Sequence, residues 1–149
     1  MEDILEQITH LLHKQEASAL SAQRAIGENL YQQLEALISI TSILPLRSPL
    51  PPMRGWAISP DFGVLLLAEI LKKKPQRVLE LGSGVSTLLI AYCLEKAGHG
   101  RVVSFDHDLN YCEKSRDRVK EHQLGNIAEV VHAPLREVQL NQGKWDWYD

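Results

Sequence analysis

The first stretch of the chain places apolar side chains at the spacing of a helix. They recur every seven residues and then continue as a stripe, at Leu5, Leu12, Ala19, Ile26, Leu30, Leu34 and Leu37. No proline occurs before Pro45, and the pattern predicts one long amphipathic helix over residues 1–44. Because polar and small residues dilute the heptads, two interpretations stay open: a coiled-coil dimer, or a helix that lies on its own domain.

A proline-rich segment follows over residues 45–59, with the sequence PLRSPLPPMRGWAIS. Proline fixes φ and pushes the preceding residue out of the helical region, so this segment is predicted to be an extended linker or lid. Arg54, Trp56 and Ser59 at its end are candidates for the wall of a ligand pocket. The alternative for Trp56 is an aromatic anchor packed against the core.

The remaining residues, 60–149, alternate between helical and strand patterns. A helix is predicted from Pro60 to about Lys74, with Ser59 as its capping hydroxyl and Pro75 as its stop. Strands and helices then follow in turn: strand Arg77–Leu81, helix Thr87–Ala97, strand Arg101–Phe105, helix Leu109 to about Gln123, and strand Ala128–His132. This order predicts an α/β fold with a parallel sheet of about three strands.

The turn after the first strand carries the candidate chemistry. Gly82 and Gly84 lack side chains, so a ligand can approach the backbone where helix amides point outward. Glu80 is an acceptor-only group suited to a positively charged amine. Ser83 and Ser86 lie in the same turn, and for Ser86 a role as helix cap competes with ligand contact.

A second group of candidates follows the second and third strands. Asp106 lies 22 positions beyond Gly84, where an acid of this fold type reaches the ribose hydroxyls of a nucleoside. Asp108 is better placed to cap the next helix, and His107 between them is interpreted as an exposed turn residue that borders the site. The backbone at Ala133 can border an adenine ring, with a plain strand exit as the alternative.

Composition and charge narrow the classes of partner. The chain has 149 residues and a net charge of −3, which fits one ordinary domain and gives no indication of nucleic-acid binding. The sequence has no secretory signal and no apolar run of membrane-spanning length, so a cytoplasmic protein is expected. Cys93 and Cys112 are then reduced packing residues, and no residue spacing indicates a metal site.

Two families of nucleotide-binding protein use such a turn. A dinucleotide-binding dehydrogenase requires glycine at position 87, where this chain has Thr87. The pattern E-x-G-x-G-x-G is matched by Glu80, Gly82 and Gly84, with Ser86 in place of the last glycine. Together with the proline-rich GW segment, SFDHD and VVHAPL, it resembles a bacterial group of class I S-adenosylmethionine-dependent methyltransferases.

This resemblance implies a Rossmann-like fold and S-adenosylmethionine as the cofactor. Glu80 would hold the methionine portion, the turn at Gly82 and Gly84 would pass beneath it, and Asp106 would bind ribose. Ser86 would lie near the methionine carboxylate. The implied reaction is methyl transfer to a small-molecule or sugar acceptor, with oxygen as the expected nucleophile.

The resemblance breaks off at the C-terminal end, because strand signals stop after the third strand. The first strand is then left with an unpaired edge. A fragment of a longer protein is the favoured explanation, ahead of completion by another subunit and of a degenerate family member. No catalytic residue is therefore nominated. Two alternatives remain: a non-catalytic cofactor-binding or coiled-coil assembly module, and an NAD-dependent oxidoreductase.

Overall fold

The computed structural model describes residues 2–141 and 143–149, so Met1 of the predicted first helix and Gln142 lie outside the described residues. The described residues form four helices and five strands. In chain order they are α1 (Glu2–Ile43), α2 (Pro60–Lys73), β1 (Arg77–Leu81), α3 (Val85–Ala97), β2 (Arg101–Asp106), α4 (Leu109–Glu121), β3 (Ala128–His132), β4 (Leu135–Leu140) and β5 (Gly143–Tyr148).

The chain divides into two compact units, Met1–Glu35 and Ala36–Asp149. The first unit is helical, and its apolar stripe is exposed to solvent at Leu5, Leu12, Ile26, Leu30 and Leu34. In the second unit, Ile40 and Leu44 are buried in the hydrophobic core. No described helix is both long enough and apolar enough to cross a membrane.

The three parallel strands are paired in the order β1-β2-β3, as predicted. Glu80 on β1 is in register with Ser104 on β2, and Phe105 on β2 with Val131 on β3. Each crossover between the strands contains one helix, α3 and then α4, as expected for parallel neighbours. Among the described residues β1 pairs with β2 alone, so its other edge is open, and Leu79 and Leu81 on this strand are exposed.

A β-hairpin of β4 and β5 follows the sheet, and the sequence pattern did not predict it. Its two strands are antiparallel and joined by cross-strand ion pairs, Lys144 to Glu137 at 2.7 Å and Arg136 to Asp149 at 2.6 Å. Both pairs form between residues seven or more positions apart, so the local alternation of apolar and polar side chains does not reveal them.

Two details of the helix ends differ from expectation, and a third agrees with it. Ser59 occupies the position before α2, but its hydroxyl bonds to the Asp61 carboxylate and caps no backbone amide. Helix α3 starts two residues earlier than predicted, at Val85, because the Gly84 amide donates to the Thr87 hydroxyl. Asp108 does cap α4, by accepting from the amides of Asn110 and Tyr111.

Helices α2 and α3 pack side by side and run in the same direction. The carbonyl of Leu67 accepts from the Cys93 thiol at 3.9 Å, and one turn earlier a Cβ added to Gly63 would lie 3.1 Å from Leu89 Cδ1. The N-terminus of α2 therefore lies at the same end of the second unit as the N-terminus of α3. Both cysteines, Cys93 and Cys112, are buried and unbonded to each other, as predicted.

Candidate functional site

The glycine turn between β1 and α3 borders open space. Gly82 has a φ of 86°, a conformation that favours glycine, and its amide is bonded to the Phe105 carbonyl at 2.7 Å, which ties the turn to β2. A Cβ added to either Gly82 or Gly84 would meet no atom within 4 Å. The backbone of the turn is thus open to a ligand at the amino end of α3.

The Glu80 carboxylate lies at the carboxyl end of β1, next to this turn. Its Oε2 accepts a hydrogen bond from the Thr87 hydroxyl at 2.6 Å and a second one from the Ser104 hydroxyl. Thr87 Oγ1 accepts in turn from the Gly84 amide at 3.0 Å. Thr87 and Ser104 are fully buried, whereas Glu80 is partly exposed. The acid is therefore anchored on one side and accessible on the other.

Asp106 ends β2 beside the same turn and fastens it. Its Oδ2 accepts from the amide of Ser83 at 2.8 Å and from the hydroxyl of Ser83 at 2.7 Å, and its Oδ1 accepts from the Asp108 amide at 3.1 Å. The Ser83 hydroxyl also lies 2.8 Å from that of Ser115 on α4. A carboxylate has about four lone-pair positions, so three internal bonds leave one for a ligand hydroxyl.

Electrostatics keep Asp106 ionised although it is buried. Burial alone would raise the pKa of Asp106. Hydrogen bonds from Ser83 and from the Asp108 amide, together with the electrostatic effect of the nearby His107, outweigh burial and lower the pKa below its ordinary value. His107 is exposed, and its Nδ1 lies 4.0 Å from Asp106 Oδ1. The site thus holds an anionic acceptor for hydroxyl or N–H donors.

The hairpin contributes an aromatic side chain to this region. The ring of Tyr148 meets the ring of His107 edge-on, with centroids 6.3 Å apart. Burial and the negative charge of Asp106 raise the pKa of the Tyr148 phenol above its ordinary value. Tyr148 therefore remains a neutral hydroxyl near physiological pH.

The other two predicted residues near the turn have different environments. Ala133 is buried, and its amide donates to the Asp106 carbonyl at 2.8 Å, which joins the ends of β2 and β3. Ser86 is partly exposed at the second position of α3. The residue that precedes α3 is Gly84, so the alternative interpretation of Ser86 as the helix cap is wrong.

The predicted pocket wall lies on the segment that leads into α2. Trp56 is fully exposed, so its interpretation as an anchor in the core is wrong. Gly55 beside it has a φ of 71°, and Arg54 accepts a turn bond from the Ala57 amide at 3.4 Å. Because α2 and α3 run in the same direction, Ser59 and the glycine turn lie at the same end of the second unit.

Sequence reasoning missed the buried hydroxyls that support the two acids. In the sequence, Thr87 is interpreted as a helix residue that replaces a glycine, and Ser104 and Ser115 fall on buried positions of β2 and α4. The signal that was available is a hydroxyl at a position where the strand or helix pattern calls for an apolar side chain. Buried hydroxyls need hydrogen-bond partners, so each predicts a polar neighbour.

Together these groups suit a ligand with a cationic amine, a carboxylate and vicinal hydroxyls. Glu80 and Asp106 are acceptors at the ends of neighbouring strands, and the amino end of α3 presents backbone amides to an anion. S-adenosylmethionine has all three kinds of group. Among the described residues, no three His, Cys, Asp or Glu side chains cluster in a way that could hold a metal ion.

Comparison with solved structures finds similar chains. Cofactor-bound Rv0187 from MTB is 25% identical, with 69% of this chain and 44% of that one covered and a TM-score of 0.49. SAH-bound Podospora anserina methyltransferase PaMTH1 is 20% identical, with 68% and 41% covered and a TM-score of 0.49. The O-methyltransferase from Bacillus cereus in complex with SAH is 23% identical, with 67% and 42% covered and a TM-score of 0.46.

The chain thus spans less than half the length of these three proteins. No curated protein matches it. A family model described as a methyltransferase domain matches residues 79–148, which include Glu80, the glycine turn and Asp106. Over these residues the chain is similar to a methyltransferase domain, in agreement with the resemblance found in the sequence.

Proposed function

We propose that this chain carries the cofactor-binding part of an enzyme that transfers a methyl group from S-adenosylmethionine to an oxygen of a small molecule, such as a sugar hydroxyl. The observation that carries the proposal is the pair of carboxylates, Glu80 and Asp106, on either side of an open glycine turn within the methyltransferase domain. That the acceptor atom is an oxygen is the more specific part of the proposal.

Each predicted site residue has a role in this proposal. Glu80 binds the amino group of the methionine portion, and Ser86 with the amino end of α3 binds its carboxylate. Asp106 binds the ribose hydroxyls, and the remaining site residues border the adenosine: Ser83, His107 and Ala133. Arg54, Trp56 and Ser59 form a wall of the pocket, and Gly82 and Gly84 leave room for the ligand.

The chemistry resides in the cofactor, which supplies a methyl carbon already activated by a sulfonium. The protein's contribution is to align the acceptor with that carbon and to exclude water. We assign no catalytic base to the described residues. Trp56 is a candidate for water exclusion, because its ring is fully exposed at the proposed wall of the pocket.

The parts of the chain outside the site have roles of their own in the proposal. Residues 1–44 act as a dimerisation helix, residues 45–59 as a linker or lid, and residues 60–149 as the amino-terminal half of the catalytic domain. The exposed stripe at Leu5, Leu12 and Ile26 supports a homodimer through the helix. We place the protein in the cytoplasm.

Calorimetric titration tests the cofactor assignment. S-adenosylmethionine and S-adenosylhomocysteine are titrated into the chain, with NAD as the control ligand. We expect micromolar binding of the first two and none of NAD. Asp106→Ala removes the ribose acceptor and Gly84→Val fills the open space, and each is expected to weaken binding at least about tenfold.

Folding of both variants is checked by circular dichroism, because Asp106 also fastens the turn. Folded protein that binds neither sulfur ligand contradicts the proposal and favours a helical assembly module. Binding of NAD favours an oxidoreductase. Binding of the sulfur ligands without methyl transfer to any oxygen acceptor, by this chain and by any longer form of it, favours a non-catalytic module.

A further inference from the structure

Two hydroxyl groups converge on one oxygen atom of the proposed methionine-binding acid. Thr87 donates to Glu80 Oε2 at 2.6 Å, and Ser104 donates to the same oxygen. The two hydroxyl oxygens lie 3.1 Å apart. Both residues are completely buried, on α3 and β2. Burying a hydroxyl costs free energy that an apolar side chain of similar size would not cost. The two hydroxyls are therefore expected to have a role beyond packing.

The protons define the direction of these bonds. A hydroxyl has one proton, and Thr87 and Ser104 each direct theirs to Oε2. The free lone pair of Thr87 accepts from the Gly84 amide at 3.0 Å. A chain of bonds thus runs from the glycine turn through Thr87 to Glu80, and Ser104 supports it from the neighbouring strand.

This arrangement orients the carboxylate. In the described part of the chain, both side-chain hydrogen bonds of Glu80 go to Oε2, on the buried side of the group. Glu80 is nevertheless partly exposed. Since Oε2 is held between two buried hydroxyls, Oε1 is the oxygen left for a ligand.

We propose that Thr87 and Ser104 are positioning residues that hold Glu80 so that Oε1 meets the ammonium group of the bound cofactor. The inference rests on the proposed function, in which Glu80 binds the methionine amino group. It also gives a reason for threonine at position 87, where a dehydrogenase turn requires glycine. A glycine there would remove both the bond to Glu80 and the acceptor for the Gly84 amide.

A ligand that differs by one functional group tests this role. Calorimetry compares S-adenosylhomocysteine with its deamino analogue, in which hydrogen replaces the amino group and the carboxylate is retained. The natural chain is expected to prefer S-adenosylhomocysteine at least about tenfold. Ser104→Ala is expected to reduce this preference to about twofold, mainly by weakening the binding of S-adenosylhomocysteine.

Three further variants connect the effect to Glu80. Thr87→Val is expected to act like Ser104→Ala, and Thr87→Ser, which keeps the hydroxyl, to restore the preference. Glu80→Gln alone is expected to reduce the preference, and adding Ser104→Ala to it to have no further effect, because the two changes break one interaction. Ser104→Ala leaves the turn bond from Gly84 to Thr87 intact, so it is the variant least prone to misfold.

The outcomes separate the inference from the proposed function. If the natural chain distinguishes the two ligands and folded Ser104→Ala distinguishes them equally well, the positioning role is overturned while cofactor binding stands. If Ser104→Ala weakens both ligands in parallel, the hydroxyl is merely structural and the inference also fails. If the natural chain binds neither ligand, the proposed function fails and the inference falls with it.

Discussion

At the residue scale, two glycines have opposite surroundings. One is required by the fold, and the other borders open space. Gly100 has a φ of 90°, and a Cβ added there would lie 2.6 Å from the Pro75 carbonyl. At Gly84 the same atom would meet nothing within 4 Å. The first position is therefore restricted to glycine by the fold, whereas the second has space that we assign to the ligand.

We expect Gly100→Ala to lower the free energy of unfolding by at least about 2 kcal/mol, since it combines strained backbone with overlap. Gly84→Ala is expected to lower it by less than about 1 kcal/mol, because alanine there replaces glycine at a helix N-cap. Urea unfolding followed by circular dichroism measures both. Equal losses of stability would contradict the assignment of the open space to a ligand.

A buried histidine predicts how stability depends on pH. His122 is fully buried, with Nδ1 2.8 Å from the Tyr92 hydroxyl, which already accepts from the Arg47 amide at 2.8 Å. The Tyr92 hydroxyl and Nδ1 of His122 thus share one hydrogen bond within the core. Burial, above all, lowers the pKa of His122 below its ordinary value of 6.5.

Protonation is then easier in the unfolded chain than in the folded one. Well above pH 6.5 both states are neutral at this position, and His122 adds no pH dependence. As the pH falls below that value, the unfolded chain binds the proton first, so the free energy of unfolding decreases by up to about 1.4 kcal/mol per pH unit. Urea titrations between about pH 7.5 and 5 measure the slope. His122→Gln is the control, and an unchanged slope in it would refute the assignment.

At the element scale, one arginine holds the proline-rich segment against two helices. Arg47 Nε donates to the His122 carbonyl beyond α4 at 2.8 Å, and its Nη2 reaches both oxygens of Glu95 on α3 at 2.9 and 2.8 Å. The guanidinium also lies 5.1 Å from the centre of the Tyr92 ring. The segment contains bends and a turn but no helix or strand, and this side chain ties it to both helices.

We expect Arg47→Ala to lower the free energy of unfolding by about 1–3 kcal/mol, because it removes a hydrogen bond, a packed ring contact and an ion pair. Glu95→Gln removes only the charge of the ion pair. Since the Arg47 and Glu95 side chains are 32% and 33% exposed, this variant should lose less than about 1 kcal/mol. Thermal unfolding of both proteins tests the order, and a larger effect of Glu95→Gln would contradict it.

At the scale of the whole molecule, the chain consists of two compact units. The unit Met1–Glu35 exposes its apolar stripe, and the unit Ala36–Asp149 contains the candidate site. An exposed stripe on a helix is stabilised when a second helix covers it. The helix carries six acidic against two basic side chains over residues 1–42, so pairing should strengthen with salt.

We expect the full chain to sediment as a dimer at micromolar concentration, and a chain that begins at Ala36 to sediment as a monomer. S-adenosylhomocysteine should bind both with the same affinity within about twofold, because the site lies in the second unit. Leu12→Asp with Ile26→Asp in the full chain provides a matched control that keeps the length. A monomeric full chain at all concentrations would refute the dimer.

The sequence by itself determined those features that depend on near neighbours. The strands, the glycine turn and the α4 cap at Asp108 follow from local periodicity, backbone restriction and capping chemistry. The proposed cofactor also rests on residues that are close in sequence, because Glu80, Gly82 and Gly84 lie within five residues of one another. Each of these signals is contained in a short stretch of the sequence.

Only the tertiary structure decided what depends on contacts between distant residues. It joined Ser104 to Glu80 across 24 positions and Ser83 to Asp106 across 23, and it formed the hairpin of β4 and β5. It also showed that Trp56 is exposed, whereas the sequence was also compatible with a tryptophan packed in the core. The local sequence around a hydroxyl or an aromatic ring does not show what that side chain contacts. The contact is determined only when the sheet and the helices pack together.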